Sequence, residues 1–168
     1  MAQWQTVLVE QIDRHGRWFY GLAFRILHDA GAAEDVCQSA FMAAWERRDE
    51  IRDPQALRSW LVSVIVNQSL QICRRRKREQ QWVRDRQREG AVQSVGYESV
   101  EFSECFANAL MELPEMTQTV VVLRLVEQMS GNEVKEVLGC SGSEVSRRLH
   151  AGMDHLRVRL ADVYIVGR

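Results

Sequence analysis

At 168 residues the chain holds one ordinary domain or two small ones, and a mixture of 46% hydrophobic and 27% charged residues excludes a disordered protein. No apolar run reaches the roughly 18 residues of a membrane-spanning helix, so membrane insertion is not expected. The net charge of −1 excludes a uniformly basic nucleic-acid binder but hides a strong asymmetry: residues 74–89 carry eight basic against three acidic side chains, between two mildly acidic segments.

The segment from Met1 to Gln11 lacks a basic stretch followed by an apolar core, so no secretory signal is expected there. Cys37, Cys73, Cys105 and Cys140 lie far apart and form no C-x-x-C pair, which fits a reducing, cytoplasmic location and no zinc site. Only two prolines, Pro54 and Pro114, interrupt the chain, which favours long helices.

Helical spacing begins with Trp18, Phe19, Leu22, Ala23, Ile26 and Leu27. After a break at Asp29 to Gly31, a second stripe follows through Val36, Cys37, Ala40, Phe41, Ala44 and Trp45. A polar stretch from Glu46 to Asp53 precedes a third helix, for which Asp53 suits the N-cap and Pro54 the first helical position. That helix repeats Leu57, Trp60, Leu61, Val64, Ile65, Gln68 and Ile72, then runs into Arg74, Arg75, Arg76, Lys77 and Arg78. Trp60 lies on the apolar stripe and reads as a packing residue before a base-stacking one. Residues 83–103 have weak periodicity, glycines and serines, and read as a linker.

The second half opens near Glu104. Leu110 and Leu113, then Val120 to Val126, mark two helices around Pro114. Ser130 and Glu133 form a capping box that opens a short helix closed by Gly139. Ser141 and Glu144 repeat the box, and the next helix buries Val145, Leu149, Met153, Leu156 and Leu160. Two capped helices joined by a tight glycine turn form a helix-turn-helix, whose second helix enters a major groove with its N-terminal residues against base edges. Its polar face carries Ser143, Glu144, Ser146, Arg147, Arg148 and His150. Arginine reads guanine and glutamate accepts from cytosine, though Glu144 has a capping role as well. The run from Arg74 to Arg78, continued by Arg84, Arg86 and Arg88, lies beside an aromatic-bearing helix, a combination suited to unpaired strands.

These stretches together resemble an extracytoplasmic-function sigma factor over residues 14–160. "AEDVCQSAFMAAW", Ala33 to Trp45, is similar to the family's polymerase-binding helix. "LRSWLVSVIVNQSLQICRRRKR" resembles its F-R-x-W-L-x-x-I-A-x-N helix with a basic end. "ALMELPEMTQTVVVLRLVEQMSGNEVKEVLG" resembles L-P-x-x-x-R-x-V-x-x-L-x-x-x-E-x-x-S-x-x-E-I-A-x-x-L-G.

The resemblance implies an all-α protein of two small helical domains, residues 1–82 and 104–168, joined by a linker. The first would hold core RNA polymerase through Asp35, Gln38, Ser39, Met42 and Trp45. It would capture the unpaired minus-ten strand with Arg48, Asp49 and Arg52 of the loop, Arg58, Asn67, and the basic side chains Arg74, Arg75, Arg76, Lys77 and Arg78. The second would read the minus-thirty-five duplex through the helix after Ser141. Promoter DNA, core polymerase and an anti-sigma factor are the expected partners, with no cofactor.

Departures from the family pattern are Ser39 in place of an acidic residue, Ile51 and Leu57 where aromatics are common, and Gln118 near a customary arginine. Ser146 stands for a lysine, and Ala151, Met153 and Asp154 for small or basic residues, so weaker duplex affinity is expected. A sigma-like adaptor that only sequesters an anti-sigma factor is a competing reading, suggested by the acidic second half. A regulator using the helix-turn-helix alone leaves the first half unexplained. An enzyme is not expected: His15, His28, His150 and His155 form no ligand spacing, and no phosphate loop or nucleophile elbow occurs.

Overall fold

The computed structural model describes residues 2–48, 56–86 and 102–166. The order is α1 (Ala2–Leu27), α2 (Ala30–Glu46), α3 (Ala56–Arg86), α4 (Phe102–Met111), α5 (Glu115–Val121) running into a π-helical turn (Val122–Val126), α6 (Gly131–Leu138) and α7 (Gly142–Val166). Among the described residues there is no strand, in line with the all-α expectation. Asp53, Pro54 and residues 87–101 of the expected linker lie outside the described residues.

The first body is α1, α2 and α3 packed against one another. Phe19, Leu22, Ala23 and Ile26 of α1 meet Leu57, Leu61, Ile65 and Val66 of α3, all of them buried. On α2 the buried set is Ala33, Val36, Cys37, Ala40 and Ala44, and these small side chains let the helix lie close. Phe41 closes the layer edge-on against Phe19, with ring centroids 5.9 Å apart. Each large side chain buried this way contributes about 1.5–3 kcal/mol. Trp60 is half-buried and packs against this core.

α1 is much longer than its strongest periodicity. Trp4, Val7, Leu8 and Ile12 extend the stripe to the core, with polar residues between them. At the other end His28 takes a left-handed φ of 51° and reverses the chain. Asp29 then caps α2 by accepting from the Ala32 N–H at 2.9 Å. α3 continues to Arg86, four residues past the expected domain end.

The second body packs α7 against α4, α5 and α6. Val120 to Leu123 are buried without interruption, because this helix has neighbours on every side. The π turn ends with the Glu127 N–H bonded to the Val122 carbonyl, and Gln128 at φ 54° redirects the chain. Both bonds of the Ser130–Glu133 capping box form, and Gly139 adopts φ 61° after α6. At α7 only half of the second box forms: Ser141 Oγ accepts from the Glu144 N–H at 3.2 Å, while the Glu144 carboxylate turns to two arginines.

Gly152 is the tightest packing point of this body. A Cβ there would collide with Val121 Cγ2 and lie 3.2 Å from Thr117 Cγ2. Overpacking of this kind costs about 1–3 kcal/mol, against the roughly 1 kcal/mol that removing a helical glycine returns. Val121 is β-branched and fully buried, so the clash prevails. Gly152→Ala therefore lowers the melting temperature measured by circular dichroism. Gly131→Ala, where an added Cβ meets nothing within 4 Å, leaves it unchanged or higher.

Candidate nucleic-acid and polymerase interface

Three surfaces carry the residues singled out by the sequence. On α2, Asp35, Gln38, Ser39, Met42 and Trp45 are all exposed along one side, with Met42 at 65%. An exposed methionine beside an exposed tryptophan is an adaptable apolar contact for another protein. The Arg48 guanidinium lies 5.2 Å from the Trp45 ring and donates to the Trp45 carbonyl at 2.9 Å, which ties the end of α2 to the start of the loop. Asp49, Ile51 and Arg52 lie outside the described residues.

The second surface is the groove between α2 and α3, about 660 Å³, lined by Asp35, Ser39, Gln68 and the basic side chains Arg74, Arg75 and Arg78. Helix phase divides the basic run. Arg75 faces solvent with Glu79 at 3.9 Å, and Lys77 and Arg78 are exposed. Arg76, four residues after Ile72, stands on the continuation of the apolar stripe. It donates to Asp29 Oδ2 at 2.8 Å and to the Leu27 carbonyl at 3.5 Å. Arg76 thereby fastens the α1–α2 turn to α3. The Asp29 carboxyl is held below its ordinary range, first by the Ala32 N–H and then by Arg76. The side chains of Arg84, Arg86 and Arg88 lie outside the described residues.

Arg58, Asn67 and Arg74 face the second body. Arg58 lies 4.8 Å over the Trp18 ring. Asn67 Nδ2 donates to the Val137 carbonyl of α6 at 3.3 Å. Arg74 Nε is 3.6 Å from Glu115, whose carboxyl is pushed up by burial and pulled back by Arg74 and Lys77. A further pairing crosses between the bodies at Arg25 Nη1 and Glu127 Oε1, 2.9 Å apart, with the Glu127 side chain only 3% exposed. Gln118 Nε2 donates to the Arg25 carbonyl at 3.2 Å and lies 2.6 Å from His28 Nε2. Gln118, Arg25, His28 and Glu127 were invisible as a group in the sequence, since no spacing rule connects them.

The third surface is the front of α7. Ser143, Ser146, Arg147 and His150 are exposed, and Arg148 is half-buried. Glu144 accepts from Arg147 Nη2 at 2.6 Å and from Arg148 Nε at 2.6 Å. These two guanidiniums, Arg147 first, hold the carboxyl below its usual range. The trio therefore presents one net positive charge, with Arg148 braced and Arg147 reaching outward. His150 Nδ1 lies 2.7 Å from the Ser146 carbonyl, so its other ring nitrogen faces out.

Known proteins match this arrangement over nearly its whole length. Residues 11–79 match Sigma-70 region 2 and residues 109–158 match Sigma-70, region 4. The ECF RNA polymerase sigma factor SigW of Bacillus subtilis is 26% identical over 95% of this chain and 91% of its own. The RNA polymerase sigma-E factor of Streptomyces avermitilis is 31% identical over 82% of this chain and 76% of its own. The fold is shared with the sigma factor RpoE of Bartonella quintana, solved with the anti-sigma factor NepR. The TM-score is 0.71 at 22% identity, covering 90% of this chain and 95% of that one. The chain belongs to the sigma-70 family of RNA polymerase sigma factors, in its extracytoplasmic-function branch. It directs core polymerase to promoters and initiates transcription there, a regulatory protein by family. No helix of the described residues is long and apolar enough to cross a membrane.

The different settings of Arg75 and Arg76 separate electrostatics from structure. Arg76→Ala lowers the thermal midpoint of the chain, because the α1–α2 turn loses two bonds to α3. Arg75→Ala leaves that midpoint in place. In holoenzyme titrated with a single-stranded oligonucleotide, it reduces the slope of log affinity against log salt by about 0.7, one phosphate contact.

Proposed function

We propose that the two bodies divide promoter recognition between an opened strand and an intact duplex. The first body binds core polymerase through Asp35, Gln38, Ser39, Met42 and Trp45, and captures the minus-ten strand. Capture uses the loop with Arg48, Asp49 and Arg52, together with Arg58, Asn67 and the outward members of the basic run, Arg74, Arg75, Lys77 and Arg78. Arg76 supports that surface from behind. The second body reads the minus-thirty-five duplex with Ser143, Glu144, Ser146, Arg147, Arg148 and His150. Domain limits of 1–82 and 104–168 accommodate this division, with α3 reaching past the first limit.

The single observation that carries the reading is the outer face of α7. A capped helix presents Arg147 and its carboxylate partner Glu144 in its first two turns, where a groove-inserted helix meets base edges. Arginine bidentate to guanine contributes about 1–3 kcal/mol of discrimination. Neutralisation of one arginine by Glu144 fits weak non-specific affinity, so specificity depends on both bodies engaging at once.

The cytoplasm, where the polymerase works, is the proposed location, and a signal-responsive set of genes the proposed target. An anti-sigma factor is a proposed partner, supported by the solved relative that holds NepR. The sigma-like adaptor is not favoured, because relatives over most of the chain are named as polymerase sigma factors.

Transcript start sites mapped after overexpression test the reading. With Arg147→Ala the start sites shift or weaken roughly 10-fold or more where an upstream element is used, while co-purification with core polymerase stays intact. Unchanged start sites with the variant would remove the duplex assignment. In duplex binding of the holoenzyme, Glu144→Ala raises affinity for random sequence and lowers discrimination, since Arg147 is released as an unpaired charge.

A further inference from the structure

One amide sits at the centre of the joint between the two bodies. Gln118 Nε2 serves the Arg25 carbonyl at 3.2 Å and His28 Nε2 at 2.6 Å. A carbonyl only accepts, so the amide nitrogen must face Arg25, and its second hydrogen then points at the imidazole. The bond forms only if His28 Nε2 offers a lone pair, which requires the neutral ring with its proton on Nδ1. The left-handed backbone at His28, immediately before the Asp29 cap, fixes where that ring is carried.

The charged groups of the elements that meet here are already engaged. Arg25 of α1 holds Glu127. Asp29 of the turn holds Arg76 of α3. Glu115 of α5 faces Arg74. The Cys73 thiol of α3 donates to the Ile26 carbonyl, and burial pushes its pKa up. A proton gained by His28 therefore meets carboxylates that already have cationic partners.

We propose that the Gln118–His28 contact is a proton-operated latch: neutral His28 keeps the second body docked on the first, where it engages Asn67 and Arg74, and protonated His28 releases it. Protonation sets an N–H against an N–H across 2.6 Å. Turning the amide to present its oxygen would satisfy the imidazolium but would leave the Arg25 carbonyl without its donor. Release frees Asn67 from the Val137 carbonyl and Arg74 from Glu115; both residues are exposed even in the closed form, so what changes is their engagement. What the freed side chains then bind rests on the strand-capture reading above; the latch does not.

The sign follows from the contact itself, since an imidazolium cannot accept from Gln118 Nε2, and partial desolvation of the ring likewise holds the His28 pKa below its usual 6.5 in the closed form. The closed form takes up the proton less readily than the open one. Closure is fully favoured above about pH 6.5 and is lost as pH falls through and below that range. A single proton raises the open-to-closed ratio by at most about tenfold per pH unit.

Small-angle X-ray scattering of the full chain from pH 8 to pH 5.5 tests the latch, with far-UV circular dichroism confirming unchanged helix content. The wild type expands reversibly on acidification. His28→Gln, whose amide oxygen can accept from Gln118, stays compact throughout, and Gln118→Ala is expanded at every pH. Histidine side-chain NMR gives an independent reading: His28 titrates below 6.5 in the wild type and near 6.5 in Gln118→Ala. A wild-type radius independent of pH, or a pH response that persists unchanged in His28→Gln, overturns the proposal. Single-strand binding by the holoenzyme is measured separately. Its failure would sink the strand-capture reading and leave the latch standing, and a flat scattering profile would do the reverse.

Discussion

A nearly buried carboxylate ties the two halves of the molecule together. Glu127 has only 3% of its side chain exposed, and the cation that answers it, Arg25, belongs to the other body. An uncompensated buried carboxylate costs several kcal/mol, so whatever covers Glu127 must bring a positive charge. The π turn that precedes it inserts an extra residue into the helix and sets the direction in which Glu127 emerges. Gln118, one helical segment earlier, faces the same stretch of α1. The chain from α5 to α6 is thus shaped around contacts made outside its own body. Since both bodies lie on one chain, modest contacts suffice to keep them together, because the second encounter is intramolecular.

The elements were legible in the sequence where periodicity and caps agreed. Val36 to Trp45, Leu57 to Ile72 and Val145 to Leu160 run at intervals of three and four, and each lies in a helix with most of its apolar side inward. Trp45 and Met153 are the exceptions, and Met153, expected to be buried in α7, is exposed at the rim of the stripe. Ser130, Glu133 and Gly139 mark α6 at both ends as capping chemistry requires. The early part of α1 was harder to read because Gly16 and several polar residues dilute its stripe, and helix continuation there is supported by Trp4, Val7, Leu8 and Ile12 packing on the core. The second capping box was half legible. Ser141 does its part, but two arginines one turn on compete for the Glu144 carboxylate, and a charged donor outbids a main-chain N–H.

The candidate site was legible as composition and less so as geometry. Five consecutive basic residues look equivalent in a string, yet a helix turns them through successive faces. Arg76 falls where the apolar stripe would have continued and becomes part of the framework, while Arg75 and Lys77 remain outside. Gly152 gave no signal at all, since its role is defined by Val121 and Thr117, thirty residues away. The same holds for Arg25, His28, Gln118 and Glu127: contacts between remote segments obey no spacing rule.

The acidic balance of the second body acquires a physical meaning from these contacts. Glu115 lies against Arg74, Glu127 against Arg25, and the Glu133 carboxyl, held below its usual range chiefly by its bonds to Ser130, also feels Arg58. Part of that acidity therefore faces the basic side of the first body, while Glu112, Glu144 and Asp154 pair with residues of α7. The carboxylates at the joint would repel a phosphate backbone, so the proposed duplex contact falls on the side they do not occupy. That side is the front of α7, where serines, Arg147 and His150 are exposed and the one carboxylate, Glu144, is already neutralised by its neighbours. A net charge near zero is thus compatible with the two proposed nucleic-acid surfaces, because opposing charges neutralise each other across the joint.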